Sequence, residues 1–138
     1  GNVRPPLSAL RPLRQFGPGD VRKAFALKPV DPRIHFALVC GSRSCAPIRF
    51  YSREHVGEEL ELAATAFVNG PEVEIDEAGE AVRLSRIFEW YRGDFGGRAA
   101  VLDFVCRHLL DPGKREFLER RGKNVAIEYA AYDWSLNG

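Results

Sequence analysis

PEVEIDEAGEAVRL, residues 71–84, decides the fold class. Val73 and Ile75 alternate with Glu72 and Glu74, the period of two that a half-buried strand shows. Asp76 to Gly79 supplies turn residues, and Val82 and Leu84 resume the alternation. Two short strands across a tight turn read as a hairpin. A hairpin set among helical segments favours an α+β domain over a doubly wound parallel sheet.

Upstream of the hairpin, Val56, Leu60, Ala63, Ala64 and Phe67 follow helical spacing, with Ser52 as the expected cap and Asn69-Gly70-Pro71 as the stop. Downstream, Ser85 opens a short aromatic-rich helix ending at Arg92-Gly93. A second helix over about Arg98 to Leu110 turns Val101, Leu102, Val105 and Leu109 inward. Asp111-Pro112-Gly113 reads as its breaker, and Glu116 to Arg121 as a last short helix closed by Gly122. Val125, Ile127 and Tyr129 alternate as a final strand. Ile34 to Cys40 is apolar on both faces, which predicts a strand buried on both sides.

The expected architecture is a single α+β domain: a mixed or antiparallel sheet, flanking helices and a proline-rich N-terminal arm. Residues 1–30 form the arm and a short helix, and 31–138 the core. Pro5, Pro6, Pro12 and Pro18 restrict the arm to extended or turning backbone. Leu7, Leu10, Leu13 and Phe16 recur every third residue, as in a polyproline-like segment lying on an apolar surface. Asp20 caps a short helix over Val21 to Leu27, before Pro29. Up to Arg33 the chain carries seven Arg or Lys residues against two Asp, read as a solvated or anion-binding arm.

The 138 residues fit one domain able to bury a core without a metal or disulfide. A net charge of +1 gives no reason to expect nucleic acid or a charged membrane surface. No apolar run reaches the roughly 18 residues of a membrane span. Three cysteines do not make a secreted disulfide scaffold, so a cytoplasmic setting is favoured over a periplasmic one. With no methionine, even at position 1, and a polar start GNVRPP, the chain is expected to be a fragment or a processed product.

LVCGSRSCAPIR, residues 38–49, holds two thiols, two arginines and two serines in one loop. Cys40, at the end of the expected strand, reads as an inert core thiol. Cys45 sits in the loop itself, where Arg43 and Arg49 would favour its thiolate. Ser42, Ser44 and Gly41 could leave N–H groups free for an oxyanion. A thiol nucleophile needs a base, and the local histidines are His35 and His55. A Cys40–Cys45 disulfide requires a tight turn, because an extended segment holds the thiols too far apart. Three cysteines and three histidines lack the paired spacing of a zinc motif, so no metal or cofactor is expected. The block Phe88, Trp90, Tyr91, Phe95 serves as core or as a ligand-stacking wall. Asp94, and likewise Asp133 and Trp134 near the C-terminus, are candidates to face the cysteine loop, the two aspartates alternatively holding local turns.

DPRIHFALVCGSRSCAPIRFY at 31–51, ELELAATAFVN at 59–69, LSRIFEWYRGDFGG at 84–97 and YAAYDWSLNG at 129–138 together resemble an uncharacterised family, domain of unknown function five-four-seven. That family reads two prolines after the second cysteine, where this chain has Ala46 and Pro47. Its members carry an earlier half with an Ile-Glu-His motif, so the resemblance implies that this chain covers the C-terminal portion only. Surface left open by a missing half would favour self-association. The family lends a site location and no established reaction.

Two functions follow. One is a binding or interaction module that takes a small anionic or peptide ligand beside the Cys40–Cys45 loop, through Arg43, Arg49, Ser42, Ser44 and Asp94. The other is a cysteine-dependent hydrolase or acyl transferase with Cys45 as nucleophile and His35 as base.

Overall fold

The computed structural model describes residues 17, 19–26 and 28–137. The arm positions Pro5, Pro6, Pro12, Pro18, Leu7, Leu10, Leu13 and Phe16 lie outside the described residues. Among the described residues the chain is a single α+β domain of five α-helices and a three-stranded mixed sheet.

The hairpin forms as its alternation requires. Strand β1 (Val73–Asp76) pairs antiparallel with β2 (Ala81–Leu84), setting Val73 opposite Leu84 and Ile75 opposite Val82. Val82 and Leu84 are fully buried. The last strand, β3 (Ala126–Tyr129), lies parallel to β2 on its other side, so β2 is central. Parallel neighbours need a long crossover, and the helices between Arg86 and Arg121 supply it.

Helix α1 (Val56–Val68) buries Ala63, Ala64, Phe67 and Val68, one stripe of a 3.6-residue period. Asn69 closes it and ties it to the next layer. Its side-chain amide donates to the His108 carbonyl at 2.8 Å, and its Oδ1 accepts from the Leu110 amide at 2.9 Å. Ser52 is not the cap of α1. The N-cap is His55, without a side-chain bond, and Ser52 instead donates its amide and hydroxyl to Glu59. The aromatic-rich segment makes two short helices where one is expected: α2 (Arg86–Trp90), capped by Ser85, and α3 (Arg92–Phe95). Gly96 and Gly97 then turn at φ of 96° and 104°, which glycine alone adopts freely. They lead into α4 (Arg98–His108), where Val101, Leu102, Phe104 and Val105 face the core.

Asp111-Pro112 starts the next helix as well as ending the previous one. Helix α5 (Pro112–Arg121) has Pro112 in its first turn, and the Asp111 carboxylate accepts from the Gly113 and Lys114 amides. The same chemistry overturns the expected strand at Ile34 to Cys40. The Asp31 carboxylate accepts from the Arg33 amide at 3.0 Å, and Pro32–Phe36 winds into a 3-10 helix. Of its residues only Phe36 is buried, while Leu38 is 70% exposed. Upstream, Asp20 does cap a helical turn, a 3-10 helix over Val21–Phe25.

Phe36 is the centre of the core. Its ring lies 4.7 Å from Phe67, 5.5 Å from Phe88, 5.8 Å from Phe104 and 6.2 Å from Phe95. Three residues earlier, Arg33 bonds Asp31 and Glu61, fastening this turn to α1. His35, next to Phe36, stacks on Tyr91 between α2 and α3 and meets Asp94 of α3. No helix among the described residues is long and apolar enough to cross a membrane.

Candidate functional site

The cysteine loop is a tight turn closed from the far end of the chain. The Cys45 amide donates to the Ser42 carbonyl at 3.0 Å, and Gly41 supplies a φ of 76°. Residues 133–137 run antiparallel alongside. The Arg43 amide donates to Ser135 O at 2.9 Å, the Ser44 amide to Asp133 O at 3.3 Å, and the Asn137 amide to Gly41 O at 3.0 Å. Ser44 Oγ accepts from the Asp133 amide at 3.1 Å. Ala46 is buried in the core and anchors the exit of the loop. Asp133 holds a local turn: its carboxylate accepts from the Ser135 amide and hydroxyl.

This turn brings the two thiols together, and both are free. The Cys40 amide donates to Cys45 Sγ at 3.2 Å. Cys40 is exposed, contrary to the buried thiol expected at a strand end. The helical turn before it leaves Leu38 and Cys40 on the outside. Cys40 Sγ stands 3.1 Å from Ser42 Oγ and 3.7 Å from the Tyr132 hydroxyl, and those two hydroxyls are 3.0 Å apart. Desolvation alone would raise the Cys40 thiol. The Ser42 hydroxyl and backbone, the Tyr132 hydroxyl and the Cys45 thiol outweigh it and bring the group down to about 7. Cys45 moves the opposite way. Burial raises it, the Cys40 amide opposes, and the neighbouring Cys40 thiol adds to the rise.

Cys40 and Cys45 open onto a cleft of about 270 Å³, walled by His35, Trp90, Tyr91, Tyr132 and Trp134. Trp90, Tyr132 and Trp134 pack against one another at 4.6 to 5.7 Å between ring centroids. Trp134 is 62% exposed, so its ring forms the rim. His35 stacks on Tyr91 at 3.9 Å, and its Nε2 meets Asp94 Oδ2 at 2.9 Å. Burial lowers the His35 pKa, with Asp94 working against the drop.

The expected site residues therefore divide. His35, Cys40 and Cys45 share the cleft, and Asp94 reaches it through His35. Ser42 and Ser44 are buried, and their hydroxyls are bonded to the C-terminal segment, Ser42 to the Tyr132 hydroxyl and Ser44 to the Asp133 amide. Arg43 and Arg49 are exposed and do not line the cleft. Hydroxyl groups lower the Cys40 thiol, not the guanidinium groups of the loop. His55 bonds Ser52 and takes no part. Sequence reasoning missed Tyr132, which lies 92 positions from Cys40. Its one signal is its place inside the block YAAYDWSLNG.

Residues 3–68 match the family model described as "Protein of unknown function, DUF547". The resemblance carried by the cysteine loop and by α1 is thus established over that span. No match was found among curated proteins or among solved structures.

Proposed function

We propose that this domain binds a small molecule or a peptide side chain in the aromatic cleft and presents the Cys40 thiol to it. The observation that carries this reading is the convergence of one exposed thiol and four aromatic rings on a single concavity. Its volume of about 270 Å³ falls just under the roughly 300 Å³ at which small-molecule sites begin. It suits one ring or side chain. With Arg43 and Arg49 outside it, the cleft favours an apolar or aromatic group over an anion. The acyl-transfer alternative has weaker support. His35 shares the cleft but bonds Asp94, and neither thiol has a hydrogen bond to it.

Alkylation mapped residue by residue tests the reading. Iodoacetamide should label Cys40 with a midpoint near pH 7, well ahead of Cys45 and Cys106, both of which are raised by burial. An iodoacetamide carrying a phenethyl group should react with Cys40 about tenfold faster than the parent reagent, equivalent to about 1.4 kcal/mol of ring binding. Trp134→Ala should abolish that preference. Equal acceleration at all three cysteines, or none at Cys40, would refute the cleft as a binding site.

A further inference from the structure

We propose that Cys40 and Cys45 form a dithiol pair that exchanges with disulfide substrates, Cys40 attacking and Cys45 resolving. This goes beyond ligand binding and rests on a separate observation, the contact of the Cys40 amide with the Cys45 sulfur. The loop turns back on itself at Ser42, so two cysteines five positions apart meet. The Cys40 amide donates to Cys45 Sγ at 3.2 Å, so the second sulfur sits against the backbone of the first cysteine. Their surroundings differ in the sense that exchange requires. Cys40 is the exposed member, with two hydroxyls at 3.1 and 3.7 Å able to stabilise its thiolate. Cys45 lies behind it, less exposed. An exposed, stabilised thiolate is the attacking sulfur of such pairs, and a shielded neighbour intercepts the mixed disulfide.

The reaction balances as follows. The Cys40 thiolate attacks one sulfur of a substrate disulfide. The substrate S–S bond breaks, a Cys40–substrate disulfide forms, and the first substrate thiolate leaves. Cys45 then gives up its proton to solvent, and its thiolate attacks Cys40 Sγ. The mixed disulfide breaks, the Cys40–Cys45 disulfide forms, and the second substrate thiolate leaves. The pair is oxidised by two electrons and the substrate disulfide is reduced to two thiols. The aromatic wall formed by Trp90, Tyr132 and Trp134 is where an apolar half of the substrate would rest.

The test exposes the full chain to glutathione disulfide and maps the products by mass spectrometry. The wild-type protein should lose two hydrogens through a Cys40–Cys45 bridge and retain little glutathione. Cys45→Ser should accumulate glutathione on Cys40, and Cys40→Ser should react at Cys45 at least tenfold more slowly than wild type reacts at Cys40. Tryptophan fluorescence gives a second readout, since bridge formation beside Trp90 and Trp134 should change the emission of the wild type and not of Cys45→Ser. A wild type that retains glutathione on Cys40 as fully as Cys45→Ser does would overturn the proposal. So would first attack at Cys45. Phenethyl-accelerated alkylation of Cys40 in Cys45→Ser reports on the binding reading alone, so the two readings fail separately.

Discussion

Ser42 acts on Cys40 through both its hydroxyl and its backbone, while its own hydroxyl is shared with Tyr132. Replacing it with alanine removes the hydroxyl and leaves the turn's backbone bond from the Cys45 amide to the Ser42 carbonyl. Ser42→Ala should therefore move the labelling midpoint of Cys40 up from about 7 toward the ordinary thiol value near 8.5. A midpoint unchanged in the variant would show that the hydroxyl does not stabilise the thiolate. The sequence exposes the loop and its thiols at this scale but exchanges their roles. Reading Cys40 as buried followed from a strand ending there. A helical turn in its place faces the thiol outward, and no pattern local to residues 38–49 reveals the hydroxyl of Tyr132.

At the scale of elements, two Asp-Pro steps account for most of the difference between pattern and structure. Asp31-Pro32 and Asp111-Pro112 both look like chain breakers. Each instead begins a helical turn, because the carboxylate takes up free amides while proline's fixed φ suits the first helical position. The run Ile34 to Phe36 is apolar enough for either state, and the cap decides. The hairpin and helices α1 and α4 were legible because their periodicity is local and unopposed. The Pro32–Phe36 turn inserts one ring into the core, and that ring should dominate its energetics. Phe36 is 1% exposed and touches four other phenylalanines. Phe36→Ala should cost about 3–5 kcal/mol, the range for removing a buried aromatic ring. A urea titration reads this as a lower midpoint at an unchanged slope. A loss under 1 kcal/mol would mean that the turn is not seated in the core as described.

Over the whole molecule, the site is assembled by contacts that no local pattern encodes. The cysteine loop and residues 133–137 are separated by about ninety positions yet bond along a shared edge, Arg43 to Ser135, Ser44 to Asp133 and Asn137 to Gly41. Parallel pairing of β3 with β2 delivers this tail, since it carries the chain out of the sheet at Tyr129 toward the loop. The tail brings Trp134 to the rim of the cleft and fixes the turn that joins the two thiols. Most of its side chains are exposed, so its removal should spare the core. Truncation after Tyr132 should leave the circular dichroism spectrum close to that of the full chain. It should also raise the Cys40 labelling midpoint, because Ser42 loses the pairing that holds it beside the thiol. The preference for the phenethyl reagent should disappear with Trp134. A truncated protein that stays folded and labels Cys40 as the full chain does would show that the loop keeps its shape unaided, and that the tail contributes only a wall.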